Sequence, residues 1–164
     1  MDLPSYISGY ADGEGCFTVS FCRRSKMRCG WEVRPSFAVS QNADRGQVLE
    51  LILEYFGCGS IRPDRSDHTV KYEVRNIANL MTRVVPHFEQ YPLMSAKQCD
   101  FEHFAKVCRL VAGGGHLTSA GLREIVDEAM AMNPSGKRKF AAADILKSTD
   151  LKVIVSACSN AGGS

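Results

Sequence analysis

Alternating apolar and polar positions shape the first half of the chain. From Phe17, the residues Phe17, Val19 and Phe21 fall on one side and Thr18, Ser20, Cys22 and Arg24 on the other, the period-two pattern of a strand with one buried face. The pattern returns from Trp31 to Gln41, with Val33, Phe37 and Val39 inward and Glu32, Arg34, Ser36, Ala38 and Ser40 outward. Ser25 to Gly30, polar and basic, is the turn between them. Two more strands are predicted over about Gly59 to Pro63 and Thr69 to Arg75, joined by Asp64-Arg65-Ser66-Asp67. Ile61, Val70, Tyr72 and Val74 point inward, while Ser60, Arg62, Lys71, Glu73 and Arg75 join the outer row.

Helical spacing fills the remainder. A first helix covers about Pro4 to Gly13, its proline placed where a missing N–H does no harm. Asp44 is expected to cap a second helix that runs to Phe56, presents Val48, Leu49, Leu51, Ile52 and Tyr55 as its apolar face, and stops at Gly57. Further helices are predicted over Ile77 to Phe88, Ser95 to Val111 and Ser119 to Met132. After Pro134-Ser135-Gly136 and Lys137-Arg138-Lys139, a short helix spans Ala141 to Lys147, and residues 149 to 164 read as a frayed tail. The order αββαββ plus trailing helices predicts an α+β domain over residues 1 to 148, one antiparallel sheet of four strands with helices on a single face. The uncovered face is polar and cationic, which fits water or a polyanion better than a second core.

Composition narrows the class. At 164 residues the chain is of single-domain size, large enough to bury about 70% of its unfolded surface. Its seven cysteines are an odd number without a CxxC pair, so neither a disulfide framework nor a zinc site is expected, and reduced thiols point to an intracellular setting. No apolar run approaches the roughly 20 residues needed to cross a bilayer, and the amino terminus has no secretory leader. Net charge is only +2, but Arg23, Arg24, Lys26 and Arg28 lie between Cys16 and Trp31 without an acid, so one face is basic. Gly113-Gly114-Gly115 lacks the Lys-Ser/Thr of a phosphate loop, and His68, His87, His103 and His116 show no metal-ligand spacing. Trp31 reads as a packing anchor.

The candidate chemistry lies in Tyr6 to Phe17, YISGYADGEGCF. Gly9 and Gly13 each cost a helix about 1 kcal/mol relative to alanine, and with Ser8 they leave a stripe on which a second helix fits closely. Asp12 and Glu14 fall where the helix dipole is already negative, an arrangement that calls for a cation or donors. A hard, oxygen-seeking ion such as Mg²⁺ suits Glu14, and Asp12 is expected to accept backbone donors at the helix seam.

Ile7 through Gly15 resembles the LAGLIDADG signature of homing endonucleases, with Glu14 where aspartate is common and Ser8 in place of alanine. Agreement continues at Gln41 closing the second strand, Arg45 beyond it and Lys97-Gln98 opening a late helix, so the resemblance spans residues 6 to 148. It implies a site-specific, Mg²⁺-dependent double-strand DNA endonuclease that cuts across the minor groove of a long, nearly palindromic site and leaves 3′ overhangs. The motif occurs once, which in this family implies a homodimer with Ser8, Gly9, Asp12 and Gly13 at the interface. Glu14 and the Gly13 carbonyl would hold the metal, Gln41 would order a water, and Arg45 and Lys97 would answer phosphate charge.

The outer row, from Thr18, Ser20, Cys22 and Arg24 through Glu32, Arg34, Ser36, Ala38 and Ser40 to Ser60, Arg62, Lys71, Glu73 and Arg75, suits base readout in a major groove. Arg28, Lys137, Arg138 and Lys139 would add phosphate contacts. An intron RNA-binding maturase and a non-cleaving DNA-binding regulator are the alternatives on the same fold. The initial methionine favours a free-standing intron reading frame, in a chloroplast, a mitochondrion or a bacterial cytoplasm.

Overall fold

The two alternating runs pair with each other in the computed structural model, which describes residues 2–64, 68–134 and 136–161. β1 (Gly15–Arg23) and β2 (Trp31–Asn42) are antiparallel, with Phe17 opposite Phe37 and Phe21 opposite Val33, so both apolar rows fall on one face. β3 (Ser60–Pro63) and β4 (Thr69–Val74) form the predicted hairpin, and β4 docks on β2 with Val74 opposite Phe37 and Tyr72 opposite Val39. The result is a four-stranded antiparallel sheet in the order β1-β2-β4-β3, the α+β plan read from the pattern. Residues 65–67 of the expected turn lie outside the described residues.

Helices cover the apolar face: α1 (Leu3–Glu14), α2 (Gln47–Phe56), α3 (Ile77–Asn79), α4 (Val85–Gln90), α5 (Lys97–Ala112), α6 (Ser119–Ala131) and α7 (Ala142–Ala161). Phe17 anchors the larger core, its ring centre 5.1 Å from Phe37, 5.2 Å from Phe88 and 5.2 Å from Phe104. Each such ring contributes about 1.5–3 kcal/mol by leaving water. A second cluster joins Trp31, Phe21 and Val33 to Val107, Leu122, Ile125 and Ile145. α5 links the two, with Phe104 in the first and Val107 in the second. Trp31 is the packing anchor expected, 1% exposed. Among the described residues no helix is long and apolar enough to cross a membrane.

Three elements depart from the pattern. Asp44 does not cap α2. It lies in a 3-10 turn over Ala43–Arg45, and α2 begins at Gln47 behind Gly46, without a side-chain cap. The Ala43 N–H is held by the His68 carbonyl at 3.1 Å, so the chain must turn once more before the helix can start. The helix expected over Ile77 to Phe88 contains a π segment at Leu80–Val84. Pro86 explains it: its ring lacks an N–H and would crowd the carbonyl four residues back, and the wider turn makes room. The last helix is not short, because α7 spans 20 residues. Trp31 Nε1 donates to Ser148 Oγ at 2.9 Å, Thr149 is 1% exposed, and Lys152 Nζ donates to Ser25 O at 2.6 Å, so α7 locks the β1–β2 turn.

Candidate active site and nucleic-acid face

α1 turns its Ile7, Ser8 and Ala11 side to the core and leaves Gly9, Gly13 and Glu14 exposed. The helix gives way to β1 without a loop, and Gly15 makes that corner possible. A Cβ there would lie 2.6 Å from the Ala11 carbonyl oxygen. Glu14 is therefore carried at the tip of a helix and the root of a strand, on backbone that cannot drift.

The end of α1 is tied to the start of α5. Asp12 accepts the Ser95 N–H at 3.0 Å, the Met94 N–H at 3.1 Å and the Ser95 hydroxyl at 2.5 Å. Desolvation works against the Asp12 carboxylate, but these donors outweigh it and hold its carboxyl below the usual range. The same splice aims Lys97, the first residue of α5, at α1: its Nζ donates to the Ala11 carbonyl at 3.0 Å and the Gly13 carbonyl at 3.3 Å. Lys97 opposes the dipole of its own helix while completing the negative end of another.

Gln41 reaches the site from β2. Its Nε2 donates to the Tyr10 hydroxyl at 2.6 Å, and its Oε1 accepts the Asn42 N–H at 2.7 Å. Arg45 sits apart on the 3-10 turn, its side chain 75% exposed and 4.0 Å from Asp44. The structure thus assembles the end of α1 with Lys97, and Gln41 with Tyr10, but leaves Arg45 unanchored.

The oxygen donors fit a hard cation. The Gly13 carbonyl already faces the Lys97 ammonium, and Glu14 adds an exposed carboxylate beside it. The described residues hold no group of three or more His, Cys, Asp or Glu side chains able to share an ion.

Ser8 and Asp12, expected at an interface, both bond within their own chain. Ser8 is 4% exposed and faces its own core. Its hydroxyl donates to the Tyr91 carbonyl at 2.7 Å and accepts from His87 Nε2 at 3.1 Å, while Tyr55 OH donates to His87 Nδ1 at 3.0 Å. Burial pushes His87 down to about 4, so the ring stays neutral. Ser8 belongs to the stripe that seats α1 because it neighbours Ile7 and precedes Ala11 by three residues, one helical turn. Asp12 takes its donors from its own chain. Gly9 and Gly13, one turn apart on the opposite side, meet nothing within 4 Å of an added Cβ.

On the sheet's other face, Thr18, Ser20 and Ser40 are exposed, and Cys22, Arg34 and Ser60 are half-buried. Arg24, Arg28, Arg62 and Arg75 extend outward. Ser36 and Ala38, at 7% and 4% exposure, are too short to clear their neighbours and add little surface. The acids of this face are each braced by cations. Glu32 accepts Arg24 Nε at 2.8 Å and Arg34 Nη2 at 2.9 Å, and the Arg34 bond leads in holding its carboxyl below the usual range. Glu73 accepts Ser36 Oγ at 2.9 Å and Arg75 Nη2 at 2.9 Å, with Lys71 at 3.5 Å. Desolvation of Glu73 is outweighed by these bonds, and its carboxyl is likewise lowered.

Lys137 and Lys139 line a groove of about 550 Å³ beside Thr18, Ser20 and Cys22, so the basic loop meets the outer row. Arg138 is diverted. Its Nη2 donates to the Met132 carbonyl, with the Met130 carbonyl at 3.5 Å, and so caps the end of α6. Sequence reasoning missed Tyr10 and Ser95. Tyr10 carried no periodic signal beyond a helix position, and Ser95 was read only as the start of a helix, although a serine at a helix start is the residue type that hydrogen-bonds locally.

The LAGLIDADG endonuclease family description matches residues 7–108. A probable intron-encoded endonuclease of Neurospora crassa is 33% identical over 131 residues, which are 79% of this chain and 29% of that relative. The chain thus spans under a third of that relative's length. The archaeal intron-encoded homing endonuclease I-Vdi141I, solved with DNA, is 27% identical with a TM-score of 0.85 over 92% of this chain and 96% of its own. I-SmaMI, bound to uncleaved DNA target in the presence of calcium ions, is 31% identical with a TM-score of 0.78 over 83% of this chain and 46% of its own. Sequence motif, sheet topology and helix-end corner agree with these matches: the chain belongs to the LAGLIDADG endonuclease family.

Proposed function

We propose that the chain is a site-specific DNA endonuclease working as a two-fold pair, its open sheets laid along the major groove and its two Glu14 side chains meeting over the intervening minor groove. The observation that carries this reading is the Gly15 corner, which fixes an exposed carboxylate at the tip of a helix whose outer side is bare glycine. Base recognition or RNA binding alone gives no reason for that arrangement.

A divalent cation, Mg²⁺ in this reading, would be held by Glu14 and the Gly13 carbonyl and would supply positive charge to the attacking and leaving oxygens. This chain's residues do the rest. Gln41 presents an amide donor and acceptor to a water, Lys97 holds positive charge at the helix end, and Arg45 is free to swing onto a phosphate. Arg24, Arg34, Arg62, Lys71 and Arg75 face the bases, and Lys137, Lys139 and Arg28 track the backbone. A two-fold pair reads a long, nearly palindromic site, and cuts across the minor groove leave 3′ overhangs. The DNA-bound neighbour, similar over nearly its whole length, supports a unit of this size.

The test is cleavage of a randomised DNA library with Mg²⁺ and with EDTA. Double-strand cuts at one recurrent site, lost in EDTA, are expected; DNA that is bound but never cut would refute the reading.

A further inference from the structure

We propose that Tyr10 is a positioning residue for Gln41, holding its carboxamide in the one orientation that serves cleavage; this rests on the role given to Gln41 above. The register shows why Gln41 needs an external anchor. β1 ends its pairing with β2 at Gly15 opposite Val39, so two residues later the β1 side of β2 is open, and only β4 continues alongside, with Val70 opposite Gln41. A glutamine at an open strand end has a terminal torsion with broad, nearly two-fold freedom.

Two contacts remove that freedom. The Asn42 N–H can only donate, so the atom it meets at 2.7 Å is the amide oxygen of Gln41. That assignment turns the NH₂ group towards Tyr10, whose hydroxyl accepts at 2.6 Å. A primary amide offers two hydrogens and two lone pairs. With one of each engaged, Gln41 keeps one N–H and one lone pair, the set needed to hold a water by donating to its oxygen and accepting one of its protons.

Tyr10 suits this task because of where its backbone sits. It belongs to α1, four residues before Glu14, and its ring packs against the larger core. The helix that carries the candidate metal-binding carboxylate therefore also orients the candidate water-binding amide. The ring is anchored without its hydroxyl, so Tyr10→Phe removes one hydrogen bond and little else.

The experiment uses the full chain and a duplex chosen by wild-type cleavage of a randomised library. Single-turnover cleavage in Mg²⁺ is measured for wild type, Tyr10→Phe, Gln41→Ala and the double variant, with duplex affinity measured in Ca²⁺ and thermal unfolding followed for each. Tyr10→Phe is expected to cut roughly 10-fold to 100-fold more slowly, with affinity and unfolding temperature unchanged, and to add nothing on the Gln41→Ala background. Wild-type cutting by Tyr10→Phe beside a slow Gln41→Ala overturns the positioning role alone, as does a Tyr10→Phe loss that persists in full in the double variant. Wild-type cutting by Gln41→Ala overturns the role of Gln41 and this proposal with it, and a wild-type protein that cuts no library member overturns the nuclease reading itself.

Discussion

The end of α1 and the open face of the sheet are built by opposite means. At the helix end, position comes from backbone: Gly15 leaves no room for a Cβ, Asp12 is held by the donors of Met94 and Ser95, and Lys97 bonds two peptide carbonyls. On the sheet, long side chains pair with one another near solvent, as Arg24 and Arg34 do with Glu32. Backbone-held groups keep their geometry whatever binds, whereas exposed ion pairs contribute about 0–1 kcal/mol and exchange partners readily. The first arrangement suits chemistry that must not vary, and the second suits recognition that changes from one target to another.

The sharpest way to break the comparison is at the bare side of α1. A Cβ added at Gly9 meets nothing within 4 Å, so for Gly9→Leu the unfolding temperature should hold while sedimentation shows loss of the pair and double-strand cutting falls to background. A variant that stays paired and active would remove Gly9 from the interface. Next is the corner itself. Gly15→Ala drives a methyl group against the Ala11 carbonyl and should cost about 1–3 kcal/mol, read as a loss of several degrees in Tm and a larger loss of cutting than of DNA affinity.

The seat of α1 can be tested by pH. The folded pKa of His87 is depressed from 6.5 to about 4, so the unfolded chain binds the proton first. Stability should therefore be complete above about pH 6.5, fall as pH drops towards 4, and lose no more from this group below that, a total of roughly 2–4 kcal/mol. His87→Gln should flatten that part of the stability profile in calorimetry. The smallest effect belongs to the sheet. Glu32→Gln releases Arg24 and Arg34, so DNA affinity should change only a few-fold while its fall with salt steepens by about one contact and base preference relaxes nearby. Collapse of all binding in that variant would show that the sheet is as rigid as the corner.

Much of this was legible in the chain. Alternation through Phe17, Val19 and Phe21 and through Val33, Phe37 and Val39 marked the strands, because burial of one face imposes period two, and a motif ending in Glu14-Gly15 marked the corner. What was not legible depends on contacts distant in sequence. Ser8 looked like part of a small-residue stripe, and only packing against His87 and Tyr91 shows which side of the helix it takes. Arg138 looked like one of three equivalent cations until the carbonyls at the end of α6 claimed it. Residues 149 and beyond lacked the marks of a core helix, yet Thr149 and Lys152 are held by the β1–β2 turn. The bracing of Glu32 and Glu73 follows from cross-strand neighbours that a single-strand pattern does not contain.

The most direct measurement compares Glu14→Gln with wild type on one library-selected duplex, following binding and strand cleavage in the same Mg²⁺ buffer. The account predicts affinity within a few-fold of wild type and cleavage reduced by about 10²–10³-fold or more; a variant that cuts at the wild-type rate would contradict it.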